Sequence, residues 1–214
     1  MMMAMIIQAL AAYLLGSLNG GLIVGRLRGV DIRRMGSGNA GGTNALRTQG
    51  KAFAFWVLLI DIGKGWLATA VLAEILRPSS ATYASAWPVA ACGIAVILGH
   101  VYPVWYGFRG GKGVATLIGA VLGAAPILLL PMLIVWFLTV VLSGYVGLGS
   151  MLGAIAFALA AAMRSQTRGG VLAFATLAAT LIVYNHRANI ARMLAGTEPR
   201  ARRLWLLGMR ARSS

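Results

Sequence analysis

The stretch Phe53-Ala-Phe-Trp-Val-Leu-Leu-Ile-Asp61-Ile-Gly-Lys64-Gly-Trp-Leu-Ala-Thr-Ala-Val-Leu-Ala-Glu-Ile-Leu76 decides the fold class. A helix needs roughly 20 predominantly apolar residues to cross ~30 Å of hydrocarbon, and this run is long enough. Its middle is interrupted by Asp61 and Lys64. Each would cost ~2.5 to 3.5 kcal/mol or more if left bare at mid-bilayer. Standing three residues apart they share one helix face, so they are expected to pair and to turn toward the interior of a helix bundle.

Working outward, runs of similar character cover residues 3–24, 87–105, 114–130, 131–142, 148–163 and 170–184. With 53–76 they predict an all-α, polytopic integral membrane protein of seven transmembrane helices. Pro126 and Pro131 punctuate one continuous apolar stretch, which also fits a single kinked helix and a six-span count. Charge decides between the two. Arg26, Arg28, Arg33, Arg34, Arg47 and Lys51 fill the first loop, and seven arginines follow Tyr184. Both regions are expected on the cytoplasmic side. An odd number of spans then puts the N-terminus outside and the C-terminus in the cytoplasm, whereas six spans would conflict with the charges. Residues 1–200 are expected to form one membrane domain, followed by a basic cytoplasmic tail at 201–214. The Ala-x-Ala at Ala9 to Ala11 lacks a basic flank before it, so the first run is expected to be a membrane helix and not a cleaved signal.

Composition supports this. Of 214 residues 59% are hydrophobic and 11% charged, and nineteen Lys and Arg face only four carboxylates, Asp31, Asp61, Glu74 and Glu198. Paired-carboxylate catalysis and acidic metal cages therefore have almost no raw material, and neither a metal nor a cofactor is expected. A net charge of +15 would suggest nucleic acid in a soluble chain, but these cations lie in loops between apolar runs. An anionic membrane leaflet explains them, and no nucleic-acid partner is expected. The lone Cys92 is a packing residue. Gly16/Gly20, Gly21/Gly25, Gly119/Gly123 and Gly149/Gly153 have the spacing that lets helix backbones approach closely in lipid.

Three polar segments carry the chemistry. The first, Asp31-Ile-Arg-Arg-Met-Gly-Ser-Gly-Asn-Ala-Gly-Gly-Thr-Asn-Ala-Leu-Arg47, combines backbone amides freed by Gly36 and Gly38, the Ser37 and Thr43 hydroxyls, the Asn39 and Asn44 amides and the Arg47 fork. Such a donor set suits a phosphate; an ordinary glycine-rich turn flanked by arginines is the alternative. Gly36 to Gly41 fits G-x-G-x-x-G formally, but no strand precedes it and no βαβ unit surrounds it. The second segment, Gly99 to Thr116, places Lys112 after Gly110 and Gly111, just ahead of the next helix start. That helix's free N–H groups would reinforce the pull of Lys112 on an anion, or else the lysine snorkels to the interface. The third leaves the last span with His186 and Asn189 three apart and ends at Glu198.

Taken together, Gly36-Ser-Gly-Asn-x-Gly-x-Thr-Asn with Arg47, Gly110-Gly-Lys-Gly-Val-Ala-Thr116, and His186-x-x-Asn with Gly-Thr-Glu198 closely resemble the bacterial acyl-phosphate:glycerol-3-phosphate acyltransferase family. Asp61-Ile-Gly-Lys-Gly65 fits too, and the likeness runs from Gly16 to about Arg200. The resemblance implies a seven-helix enzyme of the cell inner membrane, its active site facing the cytoplasm. Such an enzyme moves a fatty acyl chain from acyl phosphate to the 1-position of glycerol 3-phosphate, giving lysophosphatidic acid and phosphate. It implies that Ser37, Arg47, Lys112 and Asn189 line a cationic phosphate pocket, and that His186 and Glu198 help to position glycerol phosphate. Lys112, Arg47, Ser37 and His186 are then the catalytic candidates. Gly36, Gly38, Asn39, Thr43, Asn44, Gly110, Gly111, Asn189 and Glu198 are the binding candidates. Two departures stand out: the family often has alanine at Gly42, and Ser-Leu-x-Ser where this chain has Gly147-Leu-Gly-Ser150.

Acyl phosphate is a mixed anhydride whose phosphate leaves readily, so no covalent nucleophile is demanded. The H-x-x-x-x-D pattern of thioester-using acyltransferases is absent, since Trp105 and Ala191 stand five residues beyond His100 and His186. A phosphate or organic-anion transporter is the competing class. Against it stand the lack of an evident repeat, the lack of paired interrupted helices in matching positions, and the clustering of donors at one face.

Overall fold

The computed structural model describes residues 2–75, 86–164, 169–201 and 204–206. Most of the expected basic tail and the connection after the second run lie outside the described residues. The chain divides into two compact units, one of Met1–Pro126 with Arg168–Phe174 and one of Ile127–Thr167 with Ala175–Ser214.

In the first unit, α1 (Met2–Gly16) and α2 (Gly20–Leu27) share the first apolar run and meet at a 41° bend. Asn19 makes the break orderly: its side chain accepts from the Leu22 amide at 3.2 Å and caps α2. A short 3₁₀ turn, Ile32–Arg34, follows, and then α3 (Gly42–Gln49). α4 (Lys51–Leu67) continues through a π-helical turn, Ala68–Leu72, into α5 (Ala73–Ile75). Where the π turn ends, the buried Gln8 of α1 donates to the Leu72 and Ala73 carbonyls at 3.1 and 3.0 Å. α6 (Trp87–Val101) and α7 (Val114–Ala124) complete the unit.

Two crossings hold this unit, α1 on α6 and α4 on α7, and glycines from both partners make each one. A Cβ on Gly16 would strike the Val96 backbone and one on Gly99 the Tyr13 carbonyl; Gly65 and Gly119 stand in the same relation to Thr116 and Ile62. Backbones in contact are how helices associate where lipid removes the hydrophobic drive. Beneath the first loop lies a small core of Leu22, Val24, Ile32, Ala40, Ala45, Phe53, Ala54 and Val57.

The second unit contains α8 (Leu129–Ser143), α9 (Val146–Met163) and α11 (Arg187–Leu194), with α8 packed on α9. Gly149 lies against Val140 and Trp136, and Gly153 against the Met132 carbonyl. α10 (Gly169–Asn185) leads into α11 at a 50° bend.

All described regular elements are helical. Four helical stretches are long and apolar enough to cross a membrane, and six are if each bent pair counts as one span. Leu130, Ile134, Phe137 and Leu138 of α8 are exposed, as suits a lipid solvent. The proline-punctuated run breaks earlier than the spans expected at 114–130 and 131–142. Ala125 leaves the helical region with φ −159° and ψ 69°, because the residue before a proline avoids helical geometry. Pro131 falls in the first turn of α8, where its missing N–H is no loss.

Candidate functional site

The break between α1 and α2 exposes carbonyls of one helix end and amides of the next. The Asp61–Lys64 pair of α4 serves both. Lys64 Nζ donates to the carbonyls of Gly16 and Leu18 at 2.9 and 3.0 Å, while Asp61 Oδ1 accepts from the Gly20 amide at 3.0 Å. The two side chains meet at 2.8 Å, both buried, as the three-residue spacing predicts. His100 of α6 completes the cluster, its Nδ1 lying 3.0 Å from Lys64 Nζ and 3.3 Å from Asp61 Oδ1. Thus the charges in the membrane span suture the bend from which α2 runs toward the first loop.

That loop is organised from within by Asn44. Its Nδ2 lies 2.9, 3.0 and 2.9 Å from the Ile32, Met35 and Asn39 carbonyls, and its Oδ1 accepts from the Ser37 amide at 2.9 Å. Both Gly36 and Gly38 take left-handed φ, 56° and 72°, and a Cβ on Gly36 would strike Asn44 Oδ1. The result displays Ser37, Thr43 and Arg47 on the exposed side, with Asn39 half-buried. Asn44 itself is buried, with its amide directed to the loop's own backbone. At Gly42, an added Cβ would come within 2.8 Å of Leu58 Cδ2, so the α-carbon here already lies close against α4.

The second loop is tied to the first by Arg33. Its guanidinium grips Asp31 through Nε and Nη2 at 2.9 to 3.2 Å and donates from Nη1 to the Tyr106 and Arg109 carbonyls at 3.1 and 3.0 Å. The hydrogen bond from Arg33 holds the Asp31 carboxyl below the usual carboxylate range, and the same bond raises Arg33. The loop then turns through Gly107 and Phe108, both at positive φ. It docks on the end of α6, the Gly110 and Gly111 amides donating to Val101 and His100 carbonyls at 3.0 and 3.1 Å. Lys112 follows, half-buried, one residue before Gly113, the N-cap of α7.

Neither α3 nor α7 has a side-chain cap at its N-terminus, since Gly41 and Gly113 occupy the cap positions. Each glycine phrase therefore ends at first-turn N–H groups; Lys112 stands directly before those of α7, and Arg47 lies in the last turn of the short α3. Backbone donors, a helix's positive end and a cation are the ingredients of an anion site.

The second unit holds the third segment. Asn189 Nδ2 donates to Glu198 Oε1 at 2.6 Å and Arg192 Nε to Oε2 at 2.7 Å, so one buried carboxylate closes the turn after α11. The buried His186 directs Nδ1 at the Ile182 carbonyl, 2.7 Å away, which makes Nε2 the acceptor of the neutral ring. A Cβ on Gly147 would come within 2.9 to 3.2 Å of the Asn189 side chain, so the Asn189 amide lies close over that α-carbon.

The first unit thus brings together Gly36, Ser37, Gly38, Asn39, Thr43, Asn44 and Arg47 on one loop and helix, with Gly110, Gly111 and Lys112 joined to it through Arg33. The second brings together Asn189 and Glu198, with His186 three residues before Asn189. His100 and Arg33 escaped the sequence reading. A lone histidine in an apolar run ten residues before Gly110 was the available sign of the former; the latter looks like any interfacial arginine.

Residues 6–196 match the family model described as glycerol-3-phosphate acyltransferase. The glycerol-3-phosphate acyltransferase of Halalkalibacterium halodurans is 43% identical, over 88% of this chain and 91% of its own. That of Agrobacterium fabrum is 40% identical, over 91% and 90%. Among solved structures, PlsY (YgiH), an integral membrane glycerol 3-phosphate acyltransferase, aligns in its glycerol 3-phosphate form. The TM-score is 0.84 and the identity 37%, covering 92% of this chain and 94% of that one. Its lysophosphatidic acid form gives a TM-score of 0.81. With apolar helices of spanning length and these relatives, the chain is a multi-pass membrane protein and belongs to the glycerol-3-phosphate acyltransferase family.

Proposed function

We propose that this protein transfers a fatty acyl group from acyl phosphate to the 1-position of glycerol 3-phosphate, releasing lysophosphatidic acid and phosphate. The observation that carries the proposal is the pair of glycine phrases that run into the uncapped N-termini of α3 and α7, with Lys112 directly before α7 and Arg47 further along α3. Two phosphate-bearing substrates call for two such donor sets. The solved relative's glycerol 3-phosphate and lysophosphatidic acid forms fit an acceptor and a product of this kind.

In this mechanism Lys112 and Arg47 stabilise charge on the leaving phosphate, and the Ser37 hydroxyl with the amides around Gly36, Gly38, Gly110 and Gly111 holds phosphate oxygens. Thr43 and Asn39 border the first donor set, and Asn44 keeps it in shape. His186, Asn189 and Glu198 orient glycerol phosphate. The donor's own phosphate accepts the proton of the attacking hydroxyl, so that holding the two substrates side by side supplies much of the rate. No covalent intermediate is required.

The topology that suits this chemistry has seven spans, counting each bent pair as one and the short α7, about 16 Å long at 1.5 Å per residue, as the fourth. The N-terminus lies outside. The site and the basic 201–214 tail, which follows a single catalytic domain at 1–200, face the cytoplasm across the inner membrane. Reporters inserted after Arg212 and between Pro78 and Ala86 are expected on opposite sides, and finding them on one side would end the seven-span scheme. The activity itself is tested with purified protein, glycerol 3-phosphate and either acyl phosphate or acyl-CoA as sole donor. Lysophosphatidic acid is expected from the first donor only; turnover with acyl-CoA alone would overturn the donor assignment.

A further inference from the structure

We infer that His100 is a positioning residue for the phosphate-bearing substrate: its imidazole, braced from behind by Lys64 and Asp61, sets the height of the Gly110-Gly111-Lys112 loop. This rests on taking that loop as a phosphate site.

Next to Lys112, the loop rests on His100. Its Gly111 amide donates to the His100 carbonyl at 3.1 Å, and a Cβ on Gly111 would strike the ring at Nε2 while lying 3.0 and 3.2 Å from Cε1 and Cδ2. The His100 carbonyl is itself pinned by Asn19 Nδ2 at 3.3 Å. On the far side of the ring, Nδ1 faces the Lys64 ammonium at 3.0 Å and Asp61 Oδ1 at 3.3 Å. An ammonium that only donates and a carboxylate that only accepts thus both address Nδ1, and Nε2 is the ring atom turned toward Gly111. Lys64 cannot drift, because the Gly16 and Leu18 carbonyls hold it as well. The ring is therefore a spacer of fixed length between a buried ion pair and the loop that carries Lys112. A displacement of ~1 Å at a donor set can cost about 100-fold in rate, so a side chain that sets the loop's height acts on substrate without touching it.

A size-exchange experiment on the full-length protein in detergent tests this, with binding of glycerol 3-phosphate and of inorganic phosphate measured directly beside KM and kcat. Gly111→Ala should weaken phosphate binding about 100-fold, the scale of such a displacement. Gly111→Ala combined with His100→Ala should bind about tenfold better than Gly111→Ala alone, within the coupling expected of residues in contact. Gly110→Ala is the control. Its Cβ would strike the His100 carbonyl, a backbone atom, so adding His100→Ala should bring no recovery. His100→Asn offers Lys64 an acceptor on a shorter side chain withdrawn from Gly111, and replaces His100→Ala in every comparison if the latter is not monodisperse. The inference is overturned if the Gly111 and His100 changes are additive, or if a folded His100 variant keeps wild-type phosphate affinity and KM. Wild-type protein that fails to bind phosphate at all would instead refute the phosphate-site reading on which it rests.

Discussion

Replacing Asn44 by alanine isolates what holds the first donor loop. Asn44 is buried, and its side chain has two amide hydrogens shared among three carbonyls and one accepted bond from the Ser37 amide. At most three full bonds are lost, and at about 1 kcal/mol net for each the loop should open more easily by about 3 kcal/mol. That corresponds to roughly a 100-fold rise in the open population at 1.4 kcal/mol per tenfold. Asn44→Asp should be worse than alanine. It still accepts from Ser37 but turns its other carboxylate oxygen toward the Ile32, Met35 and Asn39 carbonyls, burying a charge with a single donor. The assay is hydrogen exchange of the Ser37 and Gly38 amides in ligand-free protein, with KM for glycerol 3-phosphate measured beside it. Exchange and KM should rise together, in the order wild type, alanine, aspartate. Wild-type exchange in both variants would refute an organising role for Asn44 and return its amide to direct phosphate contact.

Lys112→Ala should lower kcat by the equivalent of roughly 2.7 to 4 kcal/mol with the fold intact, and Lys112→Arg should restore only part of it, because a wide planar fork replaces a compact ammonium in a glycine frame; near-normal kinetics for the alanine variant would make Lys112 an interfacial anchor. The Asp31–Arg33 clamp should be insensitive to pH around neutrality. Since the Asp31 carboxyl is lowered from its ordinary 3.8, the clamp's contribution is complete above that value and disappears only as pH falls through the lowered one. Proteolytic protection of the loop should follow that course, and Asp31→Asn should abolish the acid limb. Gly119→Leu should destabilise the protein by about 1–3 kcal/mol or more in reversible unfolding in detergent, because its Cβ strikes the Ile62 backbone; an unchanged transition would mean that α4 and α7 do not depend on this contact.

What could be recognised from residues alone follows a simple divide. Spanning length and the pairing of Asp61 with Lys64 are local properties, set by a 24-residue window or a three-residue spacing, and both are found in the structure. The bend at 17–19 is different, because what stabilises it is a lysine 46 to 48 residues further along the chain. Asn44 shows a second kind of blindness: in a loop of many donors, composition does not reveal which amides face outward and which tie the loop together. His100 shows a third. Alone in an apolar run it resembles a packed core residue, and only the approach of Gly111 reveals the face it presents. Pro126 ended its helix as a proline should, yet the span boundary moved to Ala125 because the constraint acts one residue upstream.

The π turn at Ala68–Leu72 amounts to one residue inserted into an otherwise regular helix. An insertion turns everything after it by about 100° around the axis, and Gln8, sixty-odd positions earlier, donates to the Leu72 and Ala73 carbonyls at the end of the turn. The two features form one heritable unit. Deleting a single residue from 68–72 would close the helix, rotate these carbonyls away and strand a glutamine amide among apolar neighbours, and replacing Gln8 by leucine would leave the same carbonyls without their donor. Made together, the two changes cancel, so the length of this helix and the polarity of position 8 should drift through descent only as a pair.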